Sequence, residues 1–357
     1  MDGTIYDSRS LARLAFDGGT DELRPHLNAP AFVRRTGRAP LDASRVAVIC
    51  NPRSHGVKTN GLDVPPGVEV LSPRTRSELR KTLTEFKERG VGLIVVAGGD
   101  GTVRDVLTCG GPLWKSGAPA IAVLPKGKTN ALAFDLGIDA EASVAEVIDA
   151  WHADRLTMRP AIEISRPGEA AAPVRGFLFG AGIFVSATDL AQTTHRFGAF
   201  NNLAVALSML GSIANVAFGF GGSGWREGKR ISIAAPGAAS TGPGPTAAGM
   251  DVVGTRNRLI MLVSTMHRLP LGVRPFGEER GGMKLLATEA PVPNFLVNFW
   301  RTIRGGDDAR LAKAGIYRLD AQRFDIDVED GFVLDGEVFP GGRYILREGA
   351  PIAFVTP

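Results

Sequence analysis

Two stretches, Val46–Cys50 (VAVIC) and Leu93–Ala97 (LIVVA), are apolar without a break, and Ala120–Leu124 (AIAVL) repeats the pattern. A strand with no polar face must be covered on both sides. Parallel sheets with helices on either face do this, and such strands read as continuous apolar runs. The intervening segments carry the helical period. Leu79, Leu83 and Phe86 share one face of Ser77–Arg89, and Val144, Val147, Ile148 and Trp151 share one face of Glu141–His152. Val68–Ser72 adds a short strand. The fold expected for residues 45–154 is therefore a three-layer α/β/α domain.

Beyond Arg155 the texture changes. Short strand-like pieces alternate with Gly/Pro turns, and Phe324, Ile326 and Val328 alternate with Asp325, Asp327 and Glu329, the period of a half-buried strand. Asp330-Gly331 is expected to turn a hairpin. Residues 155–345 are read as a mainly antiparallel, β-sandwich-like domain. It is interrupted by an uncharged helix near 200–216 and another near 295–303. Residues 346–357 are read as a last strand returning to the first domain. Residues 1–44 form an extension with a basic patch, Arg34, Arg35 and Arg38, that reads either as a packed or solvated arm or as a weak anchor to anionic lipid. Gly237–Gly249 is expected to be a flexible loop.

Composition sets the outer limits. Of 357 residues, 44% are hydrophobic and 22% charged, which excludes a mostly disordered chain, a fibrous repeat and a polytopic membrane protein. The net charge of +4, from 41 Lys+Arg against 37 Asp+Glu, permits an anionic partner such as a nucleotide or an acidic membrane surface, and no nucleic-acid partner is expected. The segment from Phe197 to Gly224 holds no charge and is long enough to cross a bilayer. Its Asn201, Asn202, Ser208, Ser212 and Asn215 favour a buried or interface-lying helix instead. MDGTIYDSRS lacks the apolar stretch of a signal peptide, and Cys50 and Cys109 have no metal-ligand spacing. A cytoplasmic protein, peripheral at the inner membrane face, is the expectation, with a homodimer left open.

The sharpest chemical signal is VVAGGDGTVRDVL, Val95 to Leu107, a buried strand running straight into a helix. Gly98, Gly99 and Gly101 allow a tight turn and close backbone approach to a ligand. Thr102 follows where unpaired N–H groups and the helix dipole favour an anion. Asp100 would repel phosphate unless a divalent cation stood between them, so it points to a metal–nucleotide site, Mg²⁺ with ATP. The alternative is a plain capped turn. After the next strand, Lys126 and Lys128 bring positive charge to the same sheet edge, and Thr129 and Asn130 offer hydrogen bonds; Lys128 reads equally well as a solvated lysine. The first strand ends in Asn51-Pro52-Arg53-Ser54, where Asn51 and Ser54 suit a base, ribose or phosphate and Arg53 suits phosphate. His55 reads as a solvated loop residue.

The order NPRS, GGDGT, LPKGKTN and, near the end, DGE resembles the diacylglycerol kinase catalytic family, which includes bacterial soluble lipid kinases, sphingosine kinases and ceramide kinases. The resemblance covers roughly residues 45 to 357; GGDGT alone is shared with NAD kinases. It implies a nucleotide-binding α/β domain followed by a β-sandwich-like domain, with ATP in a cleft between them and a lipid hydroxyl as acceptor. Carried over by position, Asn51, Ser54, Ser72, Gly98 to Thr102, Thr129 and Asn130 fall on nucleotide contacts. Asp335 falls on the general base, and Glu337 on an acid that organises metal and nucleotide. On pattern alone, Asp335-Gly336 reads more readily as an ordinary hairpin turn, and only the resemblance raises it to a catalytic candidate.

The departures from the family are specific. Ala131 stands where the family has an acid, and Asp135 lies too far along to replace it. Arg104 stands where the family has Asn, and Asp105 where it often has Glu. Phe276-Gly277-Glu278-Glu279 replaces an expected Asp-Gly, so a structural metal cannot be carried over. The expected activity is an ATP- and Mg²⁺-dependent lipid kinase acting on a diacylglycerol, ceramide or sphingoid-type acceptor. Alternatives are an NAD kinase-like enzyme or a catalytically weakened lipid-binding regulator.

Overall fold

The computed structural model describes residues 33–37, 42–114, 117–169, 173–183, 185, 227–236, 253–279 and 281–357. The uncharged segment near 200–216, Arg38 and the Gly237–Gly249 loop lie outside them. The chain divides into two compact units, one from Met1–Ala161, Ala170–Arg175 and Ala350–Pro357, the other from Ile162–Glu169 and Gly176–Gly349.

In the first unit, β1 (Val33–Arg35) pairs in parallel with β3 (Leu62–Val64), beside the main sheet. The main sheet contains β2 (Val46–Cys50), β4 (Glu69–Leu71), β5 (Leu93–Gly98) and β6 (Ala120–Pro125), all parallel, in the order β6-β5-β2-β4. Every residue of β2 and β5 is buried, so both faces are covered, as their unbroken apolar sequences require. The cover comes from five helices among the described residues: α1 (His55–Asn60), α2 (Arg76–Glu88), α3 (Asp100–Gly110), α4 (Ala131–Leu136) and α5 (Val144–His152). Helix α3 packs on β5, α2 packs on α3, and α5 packs on β3, β5 and β6. Capping fixes their starts. Thr75 accepts the Glu78 N–H, and Ser143 and Glu146 form a reciprocal capping box.

The Arg34 and Arg35 of the expected basic arm are spent within the chain. Arg34 pairs with Asp63 at 2.8 Å and Arg35 donates to the carbonyls of Pro65 and Val68. Both are residues of β1.

Strand β7 (Leu156–Ser165) carries the chain into the second unit and pairs with β8 (Val174–Gly176). There follow β9 (Leu178–Gly182), β10 (Lys229–Ala234), β11 (Gly254–Ser264), β12 (Lys284–Glu289), α6 (Phe295–Ile303), α7 (Asp308–Ala312), β13 (Ile316–Asp320), β14 (Arg323–Val328), β15 (Phe332–Leu334), β16 (Glu337–Phe339) and β17 (Gly342–Val355). All pairings described among β9 to β16 are antiparallel, in the order β16-β15-β9-β11-β10-β14-β17, with β12 and β13 added on the free side of β11. A register shift between Arg258 and Ile260 lets β11 serve several partners. The alternation read in residues 324–329 is observed: Phe324, Ile326 and Val328 are buried.

One turn differs from expectation. Asp330-Gly331 joins β14 to β15, which do not pair with each other, so it is not a hairpin. Strand β14 lies between β10 and β17, while β15 lies between β16 and β9. Strand β17 has two roles: its first part pairs with β14 in the second unit, and its Phe354 pairs in parallel with Ile121 of β6 in the first. No described helix is long and apolar enough to cross a membrane.

Candidate active site

Because β2, β5 and β6 run parallel, the loops that follow them leave from one edge of the first unit's sheet. Those loops hold three of the four sequence motifs, and they are tied to one another. The Asn51 backbone N–H donates to Ala97 O at 2.9 Å. Its side-chain Nδ2 donates to Thr102 Oγ1 at 3.1 Å, and its Oδ1 accepts the Arg53 N–H at 2.9 Å. Ser54, buried, donates from Oγ to Asn51 O at 2.7 Å. Gly56 N–H donates to Lys126 O at 2.9 Å, and Lys126 N–H to Gly98 O at 3.0 Å.

The glycines have different reasons to be there. None of Gly98, Gly99, Gly101 and Gly127 has a positive φ, so close approach must decide. A Cβ on Gly98 would lie 2.6 Å from Thr102 Oγ1, and one on Gly127 2.5 Å from the Cα of Gly99. Gly99 and Gly127 let the second and third loops pack together, and Gly98 leaves room for the Thr102 side chain of its own loop. A Cβ on Gly101 would meet nothing nearer than Arg104 Nη2 at 3.6 Å, an ordinary contact. The chain's own packing does not require a glycine there. Gly101 thus leaves open space at the first turn of α3, where a phosphate would meet helix N–H groups.

Asp100 is engaged by the chain itself. Its Oδ2 accepts the Ala131 N–H at 3.0 Å and its Oδ1 the Leu132 N–H at 3.1 Å, so it caps α4 from the neighbouring loop. Burial lifts its carboxyl above the usual range, and those two backbone hydrogen bonds pull the other way. Among the described residues no cluster of three His, Cys, Asp or Glu side chains could hold a metal.

Asn130 is in the left-handed region at φ 50° and turns inward. Its Oδ1 accepts the Gly127 N–H at 2.8 Å and its Nδ2 donates to Gly127 O at 3.0 Å. Both amide groups thus shape the loop. Lys128 and Thr129 are exposed on it, and Arg53 is exposed on the first loop. Ser72 follows β4, parallel to β2, so it stands at the same edge; its buried hydroxyl makes no hydrogen bond in the structure.

The sequence reading missed a buried charge cluster behind these loops. Asp105 pairs with Arg76 at 2.8 Å and with Arg104 at 3.5 Å, all three side chains being at most 5% exposed. The two departures at positions 104 and 105 are therefore coupled: the arginine stands beside the carboxylate. Asp135, fully buried, is held by Arg159 at 2.8 Å and is no substitute for the acid absent at Ala131.

The fourth motif lies in the second unit. Asp335-Gly336 is the two-residue loop between β15 and β16, which pair through Leu334 and Glu337. Both loop residues have positive φ, 46° and 82°, as a type I′ turn demands, and Asp-Gly suits it. The hairpin is pinned by stacked rings. Phe332 lies 4.9 Å from Phe179 and 5.0 Å from Phe339, with Tyr344 edge-on at 4.9 Å. The half-buried Asp335 carboxylate is fixed too: Oδ1 accepts from Leu178 N at 2.9 Å and from Phe177 N at 3.1 Å, with Oδ2 3.2 Å from Phe177 N. A Cβ on Gly176 would lie 2.6 Å from Asp335 Oδ2. Nothing in the sequence around Gly176 signals this. Glu337 is buried beside it in the chain.

A loop cluster at one edge of a parallel sheet is followed in the chain by an antiparallel unit with a fixed carboxylate on a tight hairpin. Residues 45–158 match the family model of the diacylglycerol kinase catalytic domain. That match spans about a third of the chain. Among solved structures, a diacylglycerol kinase from Bacillus anthracis str. Sterne is 16% identical, covers 87% of this chain and 96% of its own, and superposes with a TM-score of 0.54. A second structure, of a candidate diacylglycerol kinase from the same organism, has the same identity and coverages and a TM-score of 0.59. At that identity the likeness establishes the fold. No curated protein matches the sequence.

Proposed function

We propose that this protein is an ATP-dependent lipid kinase that transfers the γ-phosphoryl group to a hydroxyl of a diacylglycerol, ceramide or sphingoid-type lipid. The observation that carries the proposal is the joining of the first three motif loops at one sheet edge, with Gly101 left open beside the α3 N-terminus. Backbone N–H groups there, with Lys126, Lys128 and Arg53 around them, suit a polyphosphate. Asn51 holds Thr102 in place, and Ser72 has a hydroxyl to spare.

Phosphoryl transfer leaves the protein mainly to position groups and neutralise charge. Asp335 is the residue to accept the acceptor hydroxyl's proton. Its carboxylate is oriented in advance by the Phe177 and Leu178 amides. Mg²⁺ accompanies nucleoside triphosphates in this chemistry. The residues described here do not build a site for it: Asp100 is committed to α4, and Ala131 offers no carboxylate. No step is assigned to the metal. Those two facts favour a second reading, a catalytically weakened lipid-binding regulator.

The test is incubation of purified protein with labelled ATP, Mg²⁺ and a panel of lipids, alongside NAD as acceptor. Labelled lipid supports the proposal and identifies the acceptor. Label on NAD, or lipid binding with no transfer to anything, would replace it. Contact with a membrane at the inner face follows if the acceptor is a membrane lipid.

A further inference from the structure

Helix α6, Phe295–Ile303, buries a mixed face, with Phe295, Phe299 and Ile303 half-buried beside two polar residues, and leaves other apolar side chains outside. Its polar residues Asn298 and Thr302 are 6% and 7% exposed, whereas Leu296, Val297 and Trp300 are 39%, 52% and 53% exposed. Both polar side chains are satisfied locally, Asn298 Nδ2 donating to Pro293 O and Thr302 Oγ1 to Asn298 O, each at 2.7 Å, and Arg318 Nη2 ties the helix to β13 by donating to Thr302 O at 3.2 Å. A surface helix of a soluble domain ordinarily turns its apolar residues inward. A second apolar group stands nearby. The loop before Arg274 carries Leu271, 93% exposed, and the Arg274 N–H ties that loop to Ile303 O at 2.6 Å, at the end of α6.

We infer that α6 and the Leu271 loop form a docking surface for a membrane containing anionic lipid. Charge selects the occupant. No Asp or Glu occurs from Ala290 to Gly306, while Arg301 and Arg304 lie at the end of the helix. The Arg304 guanidinium sits 5.5 Å over the Trp300 ring, so a cation and an amphipathic ring share one face, the arrangement that suits a headgroup layer. Size argues against a second copy of the chain. A nine-residue helix is about 14 Å long and offers on the order of 150 Å², against about 800 Å² per partner in a stable complex. The inference rests on the lipid-kinase reading for its purpose but not for its geometry.

The experiment is sedimentation of the full chain with phosphatidylcholine vesicles, with and without phosphatidylglycerol, in the absence of ATP. Binding should need the anionic lipid and weaken with salt. Trp300→Ala and Val297→Gln should each lower the partition coefficient about tenfold, the effect of half a large apolar side chain staying in water. Arg301→Ser with Arg304→Ser should remove most of the salt-dependent part. Brominated lipid should quench wild-type tryptophan fluorescence, and Trp300→Phe, which keeps an apolar ring, should bind but lose that quenching. Wild-type protein that stays in the supernatant, or variants that sediment like wild type, would overturn the inference. So would a dimer that falls to monomer in Val297→Gln, which would make the face a contact between copies. If vesicles bind but no lipid is phosphorylated, the surface stands and the kinase reading fails.

Discussion

Replacing Asp335 by Asn separates chemistry from folding, because the structure shows how little else changes. Asn tolerates the positive φ of 46° and keeps an oxygen where Oδ1 accepts the Phe177 and Leu178 amides. What goes is the charge on those two hydrogen bonds, together with the longer 3.2 Å contact from Phe177 N to Oδ2, where Asn carries an NH2. A charged acceptor is worth about 1 kcal/mol more than a neutral one, so the loss is about 2 kcal/mol, or about 4–8 °C in Tm. Against a typical stability of about 5–15 kcal/mol, the variant remains almost wholly folded. Loss of a general base costs about 10²–10⁴ in rate, far more than any unfolded fraction can. The assay is initial-rate lipid phosphorylation at saturating ATP, paired with thermal melting and ATP binding. Asp335→Ala should lose the same rate and about 1–2 kcal/mol more stability, since alanine is strained at that φ. A variant that melts slightly lower but transfers phosphate at near the wild-type rate would remove Asp335 from the mechanism.

Gly176→Ala should lower kcat with about 1–3 kcal/mol of destabilisation, because its Cβ would press on Asp335 Oδ2 and Leu334; unchanged kcat would show that the carboxylate's placement is immaterial. Asp105→Ala should cost about 3–5 kcal/mol in denaturant unfolding by removing the buried carboxylate that faces Arg76 and Arg104, and a loss under 1 kcal/mol would refute the cluster's role. Burial pushes the Cys50 and Cys109 thiols from 9.0 up to about 12, so alkylation of the native protein at neutral pH should be slow. A raised thiol pKa gives stability that is intact below pH 9 and lost as pH climbs towards 12, because only the unfolded chain then releases its protons. The pH dependence of Tm above pH 9 should accordingly be shallower in Cys50→Ala than in wild type.

Much of this was written locally. Unbroken apolar runs identified β2, β5 and β6, and parallel pairing then placed the motif loops on one edge. What depended on distant partners was not legible. Asp330-Gly331 and Asp335-Gly336 are the same dipeptide, yet only the second turns a hairpin, since β14 is claimed by β10 and β17. Asn130 looked like a ligand residue, but a left-handed backbone folds its amide onto Gly127. Asp100 looked like a metal ligand; that its carboxylate caps a helix from the next loop depends on a loop approach that sequence spacing does not state. The 295–303 helix was visible from its period, but not which face would be inward.

The division of β17 between the two units bears on how the chain is made. The first unit's strand β6 meets Phe354, and Arg155 O accepts the Thr356 N–H, so its sheet gains that edge only after residues 350–357 have been synthesised. Until then Ile121 and its neighbours present an unpaired edge, with the whole second unit still to be synthesised. Pairing across such sequence separation is slow to form, and an exposed edge of this kind invites wrong partners. The first unit is therefore completed only after the second has been made, so the two do not simply fold in chain order, and a substitution at Phe354 would bear on the first unit although it lies beyond the second in the chain.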